Sequence, residues 1–158
     1  LIPPDCNNIL LANKTIATTH LSNGAYRLHP IEWQIGTAVA HIAIRALVQH
    51  ATPTALYADS VHREAIQSAL LRDGQAIAWA IDVPFGHPNF YATQWLLIWG
   101  VVADGTRAHE LNINPIEPLS ESEFSRLQAI LAQHSNPCSL QPSDTWNMVC
   151  DALQALLP

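Results

Sequence analysis

The chain has little positive charge: one lysine and six arginines stand against thirteen acidic side chains in 158 residues, a formal charge of −6. Without a basic stripe there is nothing onto which a nucleic-acid backbone could release its counterions, so no nucleic-acid partner is expected. Cysteine is scarce. Cys6, Cys138 and Cys150 are odd in number and sit in no CxxC or Cys/His spacing, which excludes a disulfide framework or a structural zinc site and leaves idle thiols in a reducing, cytoplasmic setting. Long apolar runs are missing too. The longest, WLLIWGVVA at 95–103, is about half of what crosses a bilayer, so no membrane span is expected. The opening LIPPDCNN has neither an initiator Met nor a basic, then apolar, leader, and suggests a piece of something longer. No GxSxG occurs, and His20, His29, His62, His87, His109 and His134 form no HExxH. Neither a nucleophile elbow nor a metal site is therefore expected, and these histidines are read as surface or capping groups.

What is present is hydrophobic material, 49% against 13% charged, enough for one ordinary core or two small ones. In NILLANKTIA (8–17) Ile9, Leu10 and Leu11 run together and Ile16 closes the run, which predicts a buried strand. Thr, Ser, Asn and Gly over 18–29 predict a loop. From Pro30, apolar residues recur at helical spacing through Leu47, predicting a helix over about 30–50 with proline in its first turn. A second helix is expected from Asp59 or Ser60 to Arg72, stopped by Asp73-Gly74, and a third over 86–100. AIAWAID (76–82) is a short strand or extended segment. Ser120 with Glu123 forms a capping box ahead of a helix over 119–134, and 143–157 is a last amphipathic helix. The expected fold class is α+β, mainly helical: a strand-loop-helix unit over 1–52 and a helical C-terminal region over 53–158.

The chemistry concentrates in THLSNGAYRLHPIEW, residues 19–33. A helix opening at His29-Pro30 leaves unpaired backbone N–H groups and the positive end of its dipole at that point, a receptor for an anion or a carbonyl oxygen. Gly24 would permit a positive φ or a close approach, and Gly36 would let the helix press on another backbone or a flat ring. On the plainer reading Arg27 and Glu32 are a surface ion pair, His20 and His29 are satisfied loop histidines, and Gly36 is a packing notch.

The stretch NILLANKTIATTHLSNGAYRLHPIEWQIGTAVAHIA (8–43) resembles the closing segment of FAD-dependent oxidoreductases with two dinucleotide-binding domains. The likeness is carried by Leu10-Leu11-Ala12, Asn23-Gly24, Arg27, His29-Pro30, Glu32-Trp33, Gly36 and Ala38. It implies that FAD is the cofactor, and that Asn23, Gly24, Pro30, Ile31, Glu32, Trp33 and Gly36 contribute to its binding. The N–H groups near Glu32 and Trp33 would face the flavin N1/C2=O edge. Arg27 or His29 would lie near the isoalloxazine ring or a small-molecule substrate as catalytic residues. The pattern departs from the family in one large respect: the six glycines, at 24, 36, 74, 86, 100 and 105, form no GxGxxG, the turn that receives the pyrophosphate. The expected partner is therefore an N-terminal FAD-binding portion of the same protein, without which this stretch is silent and holds no FAD.

The segment 88–131 is similar in layout to S-layer homology modules, with an aromatic helix, a Trp99-Gly100 stop, an Asn114-Pro115 turn and PLSESEF opening another helix. Phe90, Trp95, Leu111, Ile113 and Phe124 are its expected core. The acidic SESE stands where such modules carry a basic residue. The alternative function is thus a non-enzymatic surface or scaffold module built on 55–158.

Overall fold

Prolines and short polar side chains decide where the helices begin. The structure, a computed structural model, describes residues 1–103, 105–133 and 139–158; Asp104, His134 and Cys138 lie outside them. Helix α1 (His20–Tyr26) opens on Thr19, whose hydroxyl accepts from the Ser22 N–H while the Ser22 hydroxyl accepts from the Thr19 N–H. Helix α2 (His29–Gln49) carries Pro30 in its first turn and stops at His50, which takes the left-handed conformation at φ 50°. Thr52 caps α3 (Pro53–Ala58), and the Asp59 carboxylate caps α4 (Ser60–Arg72) by accepting from the Val61 N–H at 2.8 Å. There follow α5 (Phe90–Ile98), α6 (Gly105–Glu110), α7 (Glu121–Gln133) and α8 (Trp146–Leu153). The Ser120–Glu123 capping box forms in both directions, with the Glu123 carboxylate accepting from the Ser120 N–H at 2.8 Å.

No strand forms among the described residues, and the only pairing of that kind is an isolated bridge between Pro118 and Thr145. The expected α+β class is therefore corrected to all-helical. Residues 8–17 are extended chain with a 3₁₀ turn at Asn13–Thr15 rather than a buried strand. Ile9 is exposed and Leu10 and Leu11 are half-buried. An apolar run shows hydrophobicity but not the neighbouring backbone that a ladder requires. The expected 18–29 loop is mostly α1, because a Thr–Ser capping box offsets the weak helix preference of Ser and Asn. Nor is 76–82 a strand: the buried Gln94 amide accepts from the Ile77 and Ala78 N–H groups and donates to the Ala78 carbonyl, tying the segment down in place of a ladder.

Two compact units divide the chain, Leu1–Gln75 and Ala76–Pro158. In the first, α2 packs against α3, α4 and the Asn13–Thr15 turn. Across α2 and α4, His41 meets Asp73 at 2.9 Å and Arg45 meets His62 at 3.0 Å. The second unit is built on Trp95 and Trp146, both fully buried, with the Trp146 indole N–H donating to the Thr93 hydroxyl at 2.9 Å. Arg107 ties α6 to α7 through Glu123 at 2.6 Å and also donates to the Pro118 carbonyl. Of the five residues expected to form a core here, Phe90, Trp95, Ile113 and Phe124 are buried. Leu111 is not; it is exposed, in a left-handed turn at φ 57°. No helix among the described residues is long and apolar enough to cross a membrane.

Candidate functional site

Leu28, in extended conformation at the junction of α1 and α2, provides no side-chain cap for α2. The positive end of a 21-residue helix is thus presented beside Arg27 and His29, where an anionic or carbonyl acceptor would be favoured. Only one residue of α2 is buried, and it is Glu32. Its Oε2 lies 3.3 Å from His29 Nδ1 and its Oε1 lies 3.4 Å from Lys14 Nζ. Oε1 is out of contact with solvent and receives no hydrogen bond, so the lysine compensates it by charge alone. A carboxylate in the first turn is well placed relative to the dipole, but a buried one needs its cation.

The other expected site residues fall around this pair. Pro30 is in the first turn and Ile31 is half-buried. Trp33 presents its indole to solvent at 76% exposure, and Leu28 and Leu21 are exposed with it. Arg27 closes α1, donating its backbone N–H to the Asn23 carbonyl, while its side chain is exposed. The surface ion pair between Arg27 and Glu32 does not form; Glu32 turns to Lys14 and His29 instead. His20 and His29 each begin a helix rather than sitting in a loop. Gly24 is inside α1 and does not use the positive φ that glycine would permit, and a Cβ there would meet nothing within 4 Å. Gly36 opens toward the Asn13 side chain, whose Oδ1 would lie 3.5 Å from an added Cβ.

Lys14 was not among the expected site residues. Its signal in the sequence is that it is the only lysine in the chain, but nothing there indicates that the left-handed Asn13 turn carries it to the start of α2. Among the described residues no cluster of three or more His, Cys, Asp or Glu side chains is arranged to hold a metal. Farther along α2, an open groove of about 650 Å³ runs between Asn7, Asn8, Leu10 and the Val39–Leu47 face. Among the described residues of the second unit, Cys150 has a marked shift: burial pushes its thiol up to about 12 from the ordinary 9.0, with a Thr93 hydrogen bond opposing and Asp151 adding to the rise. It is an inert thiol rather than a nucleophile.

The donors at the start of α2 are backbone N–H groups, Lys14, Arg27 and His29, which suits the acceptor edge of a flavin. The Glu32 Oε1, which receives no hydrogen bond although Lys14 stands 3.4 Å away, and the uncovered Trp33 and Leu28 suit a face completed by another group. The sequence carries no GxGxxG turn to receive the nucleotide half of FAD. Residues 1–70 match the sequence profile of a family described as FAD dependent oxidoreductase. No curated protein and no solved structure matches the chain. The similarity to FAD-dependent oxidoreductases therefore covers the stretch that holds α1, α2 and the Lys14–Glu32 pair, and stops within α4.

Proposed function

We infer that residues 1–70 form one wall of the flavin site of an FAD-dependent oxidoreductase, the nucleotide-binding turn being supplied by an N-terminal portion of the same protein. The observation that carries this reading is the uncapped start of α2, with its buried Glu32 and exposed Trp33, lying inside the stretch that matches the family. When bound, the cofactor would supply hydride transfer through N5. The N–H groups of the first turn of α2, about Ile31 to Trp33, would donate to the N1/C2=O edge, and the dipole would favour negative charge there. Arg27 and His29, both exposed at the helix start, would orient the ring or a small-molecule substrate. Asn23 lies one turn before Arg27 on α1 and would steady that loop-facing end through its backbone carbonyl. Trp33 and Leu28 would exclude water once covered, which strengthens each polar contact beneath them.

The test is the visible absorption spectrum and FAD content of the protein expressed from its complete gene. About one FAD per chain, with the bands of an oxidised flavin, is expected of a resident cofactor. A colourless protein that takes up no added FAD would overturn the reading. It would also favour the alternative, a binding module, which would then rest on residues 76–158 because α3 and α4 pack against α2.

A further inference from the structure

We propose that Lys14 and Glu32 are a charge-compensated pair that sets the reduction potential of the cofactor held at the start of α2, an inference that rests on the flavin reading above. The argument begins with the charges that surround that point. The α2 dipole is equivalent to roughly half a positive charge at its N-terminus, and Glu32 brings a full negative charge into the same turn. Taken alone, the pair of them is net negative, and would oppose a ring that gains negative charge on reduction. Lys14, from the Asn13–Thr15 turn, restores the balance at 3.4 Å from Oε1. His29, on α2 itself, faces the other oxygen at 3.3 Å. Arg27 stands just before the helix with its side chain exposed. Because Glu32 is 8% exposed, solvent screens it weakly, and its charge is felt at distances where a surface carboxylate would not be. Lys14 itself is 62% exposed at the side chain, so removing it changes the charge at the site with little change in packing. Lys14 and Glu32 act through the field they impose and not by contact with substrate, so both are positioning and tuning residues.

The experiment is a redox titration of the flavin in the complete protein and in three variants. Glu32→Gln keeps the shape and removes the negative charge, and is expected to move the potential upward. Lys14→Met leaves the carboxylate uncompensated and is expected to move it downward, and the double variant is expected to return toward the parent value. If Lys14→Met does not fold, Glu32→Gln alone decides, since the amide can still accept from His29 and needs no cation. Flavin bound with an unchanged potential in Glu32→Gln would overturn the inference and leave the flavin reading intact. A parent protein with no flavin would overturn both.

Discussion

The two units of this chain bury their apolar side chains very differently. Residues 76–158 hold fifteen buried hydrophobic side chains among those described, including two tryptophans with no exposure at all; residues 1–75 hold three, Leu56, Leu70 and Leu71. The first unit nevertheless contains the longest helix, 21 residues, and eleven large hydrophobic residues that face solvent, from Leu21 at 89% to Leu1 at 41%. A helix gains most of its stability from the apolar face it buries, and the apolar residues of α2 that face its neighbours, such as Ile35, Val39 and Ile42, are only half-buried, Glu32 alone being buried. The second unit carries a core of its own, while the first, which holds the stretch that matches a flavoenzyme family, has a thin core and much apolar surface. Large exposed apolar area of this kind marks an interface more often than an ordinary surface.

That contrast is most directly broken by truncating one tryptophan in each unit. Trp146→Ala removes a fully buried ring and its bond to Thr93, and should destabilise the protein by about 3–5 kcal/mol in denaturant unfolding. Trp33→Ala removes a ring at 76% exposure and should change stability by less than about 0.5 kcal/mol. Comparable losses at the two positions would mean that the first unit has a core of its own. The ion pairs offer a second comparison. Glu123→Ala takes from the nine-tenths buried Arg107 its 2.6 Å carboxylate, leaving it Glu117 at 3.9 Å and the Ile113 and Pro118 carbonyls, and should cost about 3 kcal/mol. Asp73→Ala opens the His41 pair, whose carboxylate is 61% exposed, and should cost no more than about 1 kcal/mol.

Much of the helical layout was legible because helix starts are written locally. Pro30, Asp59, and Ser120 with Glu123 each announced an element that the structure contains. What failed was inference that needed a neighbour. The Ile9-Leu10-Leu11 run shows apolar character but not the absence of a pairing strand, and Ser22, Asn23 and Gly24 read as a turn until Thr19 caps them into α1. Within the first turn of α2, the closeness of His29 and Glu32 was legible. The cationic partner of Glu32 was not, since charge complementarity along the chain favours Arg27 and only the folded turn at Asn13 supplies Lys14.

Alkaline titration should separate the units by a smaller margin. Burial raises the Cys150 thiol from 9.0 to about 12 in the folded state, so folding favours its protonated form. The corresponding stability is complete below pH 9 and is lost as pH rises toward 12, because the unfolded chain releases the proton first. Hydrogen exchange or tryptophan fluorescence followed from pH 8 to 11 should therefore show residues 76–158 weakening over that range, and the effect should vanish in Cys150→Ala. Persistence of the full pH dependence in that variant would assign it to another group.

The smallest effect discriminates most finely between the two ways of regarding α2. Gly36 sits inside the helix, where replacing it by alanine should stabilise by up to about 1 kcal/mol through backbone entropy. The added Cβ would meet Asn13 Oδ1 at 3.5 Å, an ordinary contact, so no clash offsets that gain. If Gly36 is only a notch for the Asn13 turn, Gly36→Ala should raise the unfolding midpoint slightly and leave flavin content untouched in the complete protein. If a ring is seated against this face, the same methyl group would hold it off, and flavin content should fall while stability without cofactor still rises. Opposite signs from one substitution would then show that α2 owes its glycine to a partner that the first unit was built to meet.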